Sequence, residues 1–264
     1  MTDLFTVRSG RVKAARKLTR RRHRAEHRLF LAEGAKAISE ALALDGCLVE
    51  VFATAEATSS YDDLRGAVTG LRLPWQVAED DAVASLSGTV TPQGVVAVCR
   101  FLDVPLSDLS GRGGFLTVCA DVRDPGNAGT VIRTADAAGA SGVVLAGQSV
   151  DPYNDKTVRA TVGSLFHLPI AVAPEPADVV RTLQYEGWTV LAADGAGETG
   201  LFEADGLLAG RVAWLFGNEA WGLPAELGAL ADHRVAIPVL GRAESLNLST
   251  AAAVCLYATA RARR

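Results

Sequence analysis

Apolar residues along this chain come in short unbroken runs, separated by stretches in which they recur at helical spacing. The run starting at Leu29 predicts a strand over 28–34. Residues 35–44 carry apolar side chains at 35, 38, 41, 42 and 44, the period of an amphipathic helix. Apolar β-branched runs over 48–54 and 94–102, bounded by turn residues, predict two more strands. Next comes Asp-Val-Pro-Leu-Ser-Asp-Leu-Ser-Gly-Arg-Gly-Gly, polar and broken by Pro and Gly. That composition predicts a linker over 104–114, between a domain of residues 1–103 and one of residues 115–264.

From residue 115 the alternation is regular. Strands are expected over 115–122, 142–147, 167–173, 189–194, 212–218 and 233–239, and helices over 127–139, 155–164, 176–186, 223–231 and 247–262. Near-continuous apolar strands alternating with helices imply an α/β fold with a mostly parallel sheet, its helices covering both faces. In such sheets ligands bind at the loops leaving the carboxyl ends of the strands.

Composition narrows the class. In 264 residues, 49% of them hydrophobic, the apolar runs are of strand length and none would span a bilayer. The cationic N-terminus has no apolar segment behind it, so no secretory signal is expected. Cys47, Cys99, Cys119 and Cys255 form no Cys-x-x-Cys pair, and reduced, buried thiols in a cytoplasmic protein are expected. The net charge of −4 conceals a division: residues 1–36 hold 11 Lys and Arg against three acids, and the remainder holds 15 against 27. The opening segment therefore carries +8 and the rest −12. Such a split suits a polyanion, and the near absence of aromatic residues from the basic run favours phosphate contact over base stacking. Arg11, Lys13, Arg16, Lys17, Arg20 and Arg21 are the expected RNA-binding residues. His23 and His27 lie four apart in the same stretch. They read as phosphate neighbours, and no metal is expected.

Several segments could carry chemistry. Gly195-x-Gly197-x-x-Gly200 matches a dinucleotide fingerprint in letters, but the following residues, with two more glycines, leave little room for the helix that fingerprint needs. The segment 121–140, Asp-Val-Arg-Asp-Pro-Gly-Asn-Ala-Gly-Thr-Val-Ile-Arg and onward, places Asn127 where it suits a helix N-cap and Arg133 six residues later. The run ending Trp214-Leu-Phe-Gly-Asn-Glu-Ala-Trp-Gly sets an amide and a carboxylate at the end of a buried strand, with glycines on both sides. The segment 237–254 holds Glu-Ser-Leu-Asn-Leu-Ser ahead of an Ala-rich helix. Taken singly, each reads as capping or turn chemistry.

Together, N-x-G-x-x-x-R, then L-F-G-N-E-x-x-G-L, then I-P-x-x-G-x-x-E-S-L-N-L-S, in this order, resemble the motifs of the SpoU (TrmH-like) RNA ribose 2′-O-methyltransferases. The resemblance covers residues 115–264. The basic α/β segment before residue 103 is similar to the substrate-binding domain that these enzymes often carry. The resemblance implies a deep trefoil knot, S-adenosyl-L-methionine as cofactor, and a homodimer whose helices 127–139 and 247–262 contribute to the interface. It implies a cofactor site made of Ala193, Asp194, Gly195, Leu215, Phe216, Gly217, Ile237, Leu240 and Leu246. It also implies that Asn127, Arg133, Glu219, Ser245 and Asn247 surround the reacting hydroxyl. A guanidinium keeps its proton throughout the accessible pH range, so Arg133 is expected to clamp a phosphate and polarise the hydroxyl, with Glu219 or a bound water taking the proton. Ribosomal RNA of the 23S type is the expected substrate, and some members with this layout confer resistance to ribosome-targeting antibiotics. A transfer-RNA methyltransferase and a non-catalytic RNA-binding or ribosome-assembly factor that kept the fold are the alternatives.

Overall fold

In the computed structural model, which describes residues 4–264, the basic opening stretch forms two short helices, α1 (Gly10–Lys17) and α2 (Arg21–His27). Val12, Ala15 and Leu18 face inward, which leaves the lysines and arginines between them exposed. Arg24 is the exception. It is 3% exposed, and its Nη1 donates to the carbonyls of Leu18 and Thr19, both at 2.9 Å, satisfying backbone acceptors that the end of α1 leaves open.

The chain continues through β1 (Leu29–Glu33), α3 (Ala35–Leu42), β2 (Leu48–Ala53), α4 (Ala55–Ser60) and α5 (Asp62–Gly70). Then come β3 (Trp75–Val77), α6 (Asp80–Ala84) and β4 (Val95–Arg100). The four strands form one sheet in the order β1-β4-β2-β3, with β4 antiparallel to both neighbours and β3 parallel to β2. The short β3 and helices α4 to α6 have no counterpart in the apolar pattern, because their residues are largely polar and half-exposed.

The second half runs through α7 (Leu106–Ser110), β5 (Phe115–Ala120), α8 (Pro125–Ala138), β6 (Gly142–Ala146) and α9 (Asp155–Thr161). It goes on through β7 (Ile170–Ala173), α10 (Pro176–Tyr185), β8 (Thr189–Ala193), β9 (Thr199–Gly200) and α11 (Asp205–Leu208). It ends with β10 (Val212–Phe216), α12 (Ala225–Gly228), β11 (His233–Ala236) and α13 (Leu248–Ala262). Its seven strands lie in the order β7-β6-β5-β10-β8-β11-β9, every pairing parallel. All residues of β5, β6 and β10 are buried, as strands covered on both faces require.

Two compact units result. One is the chain up to Leu102 together with Tyr153–Phe166, and the other is Asp103–Pro152 with His167–Arg264. Residues 104–114, which read as a linker, fold into the second unit: Leu109 is fully buried in its core and Val104 N–H donates to the carbonyl of Ile170 at 2.9 Å. The segment Tyr153–Phe166 joins the first unit through aromatic contacts. Tyr153 lies 3.8 Å from Phe101 and 4.8 Å from Phe30, centroid to centroid, and its hydroxyl accepts the N–H of Leu102 at 2.6 Å. No local pattern announces that pairing. Among the described residues no helix is long and apolar enough to cross a membrane.

Candidate active site

In the parallel sheet the chain runs outward one way from β5 through β6 to β7, while β10, β8 and β11 lie on the other side of β5. The β5–β10 boundary is thus a switch point, where the loops leaving two adjacent strands diverge and open a crevice. The loop after β5 leads into α8 and the loop after β10 carries Asn218 and Glu219.

The β5 loop starts with strain. Asp121 has φ 57°, the left-handed region, and its Oδ1 accepts the N–H of Gln148 at 2.7 Å. Helix α8 begins at Pro125, two residues earlier than its apolar pattern suggests. The cap is Asp124 and not Asn127: Asp124 Oδ1 accepts the N–H of Asn127 at 2.7 Å, and proline takes the first helical position, where no N–H is needed. The Asn127 side chain is thereby free for the crevice.

The β10 loop is a tight hairpin. Asn218 and Gly222 exchange backbone hydrogen bonds, each 2.9 Å, and Asn218 Oδ1 accepts the N–H of Ala220 at 2.8 Å. Asn218 is 6% exposed, and its Nδ2 donates to the carbonyl of Asp121 at 2.6 Å, tying the two loops together. Gly222 turns at φ 69°, and a Cβ on Gly217 would meet Gly222 C at 2.3 Å, so glycine is required there by contact alone.

Glu219 is fastened by three donors. Its Oε1 accepts from Asp124 N–H at 3.0 Å and Asn127 Nδ2 at 3.4 Å, and its Oε2 accepts from Arg123 N–H at 3.2 Å. Asn127 Oδ1 in turn accepts from Asn247 Nδ2 at 3.1 Å. Asn247 also caps α13, its Oδ1 accepting from Ser249 N–H at 2.9 Å and Thr250 N–H at 3.3 Å. A continuous row Asn247–Asn127–Glu219 thus joins three loops, with Asn127 placed 92 positions from Glu219 and 120 from Asn247. Arg133 and Ser245 are exposed, and neither makes a hydrogen bond or ion pair with the described residues.

Beside this row lies a cleft of about 360 Å³, lined by the loops after β8, β10 and β11. Of the expected cofactor residues, Ala193, Asp194, Gly195, Phe216, Gly217, Ile237 and Leu246 line it, as do Glu219 and Ser245. Leu215 and Leu240 do not. Strand alternation turns Leu215 into the core on the opposite face, where it is fully buried, and Leu240 is 92% exposed on the loop after β11. Asn218, Ala220, Val239, Glu244, Leu248 and Ala251, which the sequence reading does not assign to the cofactor, line the cleft as well. Asp194 Oδ1 accepts the N–H of Ala196 at 2.9 Å, and Oδ2 accepts Arg234 Nη2 at 2.8 Å and Nε at 3.0 Å. The Ala196 N–H first, and then Arg234 against the opposing effect of burial, hold its carboxyl below the usual range. No helix opens at Gly195, and Gly197 is pressed against the β11 backbone, 2.6 Å from Arg234 O by its virtual Cβ. Behind the cleft, the Cys119 thiol is pushed up to about 12 by burial and by the charge of Glu219, so it is a neutral core thiol.

In the first unit Arg11, Lys13, Arg16, Lys17, Arg20 and Arg21 are all exposed, and Arg11 pairs with Glu50 at 3.4 Å. His23, Glu26 and His27 bring their ligand atoms within 4.8 Å of one another.

Comparison with known proteins fits this geometry. The SpoU rRNA methylase family model matches residues 114–257, and an MRM3-like substrate-binding domain model matches residues 10–97. The chain belongs to the SpoU rRNA methylase family. A relative in that family, 23S rRNA (guanosine(2553)-2′-O)-methyltransferase RlmP of Bacillus subtilis, is 34% identical over 97% of this chain and 98% of its own length. Among solved structures, an AdoMet-bound rRNA methyltransferase from Sinorhizobium meliloti superposes with a TM-score of 0.86 at 34% identity, covering 98% of this chain and 97% of that one. AviRb from Streptomyces viridochromogenes, also in complex with AdoMet, superposes with a TM-score of 0.87 at 30% identity, covering 96% of this chain and 98% of that one.

Proposed function

We propose that this protein transfers a methyl group from S-adenosyl-L-methionine to a ribose 2′-hydroxyl of 23S-type ribosomal RNA in the cytoplasm. The observation that carries this reading is the Asn247–Asn127–Glu219 row at the rim of the cleft. Full-length similarity to RlmP and the AdoMet complexes of two structural relatives support it.

The cleft suits the cofactor. Gly195, Gly217 and Gly222 offer bare backbone, Phe216, Ile237 and Leu246 offer apolar wall for a purine, and Asp194 is an ionised acceptor for sugar hydroxyls. When bound, adenosylmethionine supplies a sulfonium-activated methyl group. The chain's task is then to align the ribose oxygen and to ease loss of its proton. Arg133 holds the adjoining phosphate in its planar fork and draws charge from the hydroxyl. Because Glu219 already accepts three hydrogen bonds, its role is to fix Asn127 and the β5 loop, and water receives the proton.

The exposed arginines of α1 and α2 bind RNA phosphates in a substrate-binding domain of residues 1–103, and residues 115–264 form the catalytic domain with its trefoil knot. The molecule acts as a homodimer, in which the unpaired Arg133 reaches the RNA phosphate beside the partner's cofactor. Equal activity from a strictly monomeric species in analytical sedimentation would exclude the dimer. Calorimetry with adenosylmethionine, followed by site mapping on an unmodified 23S rRNA transcript, tests the whole reading. Micromolar cofactor binding and one methylated ribose are expected. Absence of cofactor binding would leave an RNA-binding scaffold, and methylation of tRNA alone would reassign the substrate.

A further inference from the structure

Between Glu219 and Gly222 the hairpin carries a tryptophan that the proposed chemistry does not use. Trp221 is 54% exposed, whereas Trp188 and Trp214 are 3% and 0% exposed and Trp75 is half-buried. An indole left open to water forgoes a large hydrophobic gain, so its position calls for an account.

The backbone beneath Trp221 is held firmly. Asn218 and Gly222 close the hairpin on either side, Asn218 Oδ1 takes the N–H of Ala220, and Glu219 is bolted to the N–H groups of Arg123 and Asp124. The Arg123 guanidinium lies over the indole, 5.2 Å from the ring centroid, a cation–π contact across the same two loops. One loop thus grips residue 123 twice, by its backbone through Glu219 and by its side chain through Trp221. The ring already has a cationic neighbour within its own chain, and it stands two residues from a carboxylate in the active-site row. A preformed aromatic surface with a cation beside it is what single-stranded nucleic acid stacks on, since every base has a π-face and guanidinium groups add to the attraction.

We propose that Trp221, backed by Arg123, is a stacking platform for an unpaired nucleobase of the RNA, positioning the strand so that the target ribose meets the Asn247–Asn127–Glu219 row. This rests on the proposed methyltransferase function and adds the group that holds the base. Trp221 is a positioning residue: it orients the substrate and takes no part in proton or methyl transfer.

The test is methyl transfer to an unmodified 23S rRNA transcript, with calorimetric adenosylmethionine affinity and sedimentation measured in parallel. W221A is expected to lower kcat/KM for the RNA roughly 5- to 150-fold, the effect of removing one base stack, at unchanged cofactor affinity and oligomeric state. W221F should recover most of the activity. RNA should quench the fluorescence of the wild type, and W221F should abolish that quenching. Wild-type kcat/KM in W221A overturns the platform. So does a parallel loss of cofactor affinity, which would mark Trp221 as a structural prop, or a change in oligomeric state, which would mark it as a subunit contact. A wild-type protein that methylates no RNA fails at the parent reading instead, and does so before any substitution is made.

Discussion

Gly217 shows how narrowly single residues are specified at this site. A methyl group there would come within 2.4 Å of Gly222 O and of Leu223 N, both of them backbone atoms that cannot rotate away. Gly217→Ala should open the hairpin, lowering stability by about 1–3 kcal/mol and weakening adenosylmethionine binding in calorimetry. Intact cofactor affinity would show that the hairpin does not shape the cleft. Arg133 is the converse case, exposed and without a hydrogen bond or ion pair among the described residues. Arg133→Lys should leave the melting temperature and cofactor affinity unchanged while nearly abolishing turnover, because an ammonium cannot present a planar fork. Substantial turnover would count against the assigned role.

At the scale of elements, the start of α13 does two jobs with one side chain. Asn247 accepts hydrogen bonds from Ser249 and Thr250 with its oxygen and donates to Asn127 with its nitrogen. Asn247→Ala should cost about 1 kcal/mol of stability through loss of the cap, together with activity. Asn247→Asp separates the two jobs: its carboxylate still caps the helix and suits the dipole, but it faces Asn127 Oδ1 with a second acceptor. Near-native stability with impaired methyl transfer is expected, and equal activity would show that the Asn247–Asn127 contact is dispensable. On its far side α13 is tied to β10 by Trp214 Nε1, which donates to Thr259 Oγ1 at 2.8 Å. A displaced cap therefore bears on the strand that leads into Gly217.

Across the whole molecule, charge and burial set the response to solution conditions. Cys119 is raised to about 12 and Cys255 is raised by burial, so both thiols stay protonated in the fold after the unfolded chain has begun to ionise. Their contribution is fully present below about pH 8.5 and is lost as pH rises through the folded values. Asp194 is lowered, so its contribution is present above about pH 4 and is lost as pH falls. Denaturant midpoints should form a plateau between these limits, and Cys119→Ala should flatten the alkaline limb; an unaltered limb would exclude that thiol as a cause. Neutralising Arg16, Lys17, Arg20 and Arg21 together should weaken RNA binding and reduce the salt slope by roughly one for each phosphate no longer neutralised, at constant cofactor affinity. An unchanged slope would mean that α1 and α2 do not touch phosphate. Arg24 lies in the same basic run, but its guanidinium is turned to carbonyl groups inside the unit.

Local chemistry is enough to read much of this. The period of apolar residues places the strands β5, β6, β8 and β10 and the helices α8, α10 and α13 to within a few residues, since side-chain burial there follows directly from the backbone repeat. Three polar motifs after strand ends mark the loops that converge. Other features depend on neighbours distant in the chain, and no window of adjacent residues contains them. Asp124 displaces Asn127 as the cap because a proline follows it, and only the fold then brings Asn127 to Asn247, 120 positions away. Leu215 and Leu240 do not line the cleft because strand alternation and loop path, not motif membership, aim their side chains. The segment Tyr153–Phe166 leaves its sequence neighbours for the first unit because its aromatic partners, Phe30 and Phe101, are there. Periodicity can tell a residue whether it is buried. Which remote residue it is buried against follows from strand order, and strand order is settled only when the whole chain packs at once.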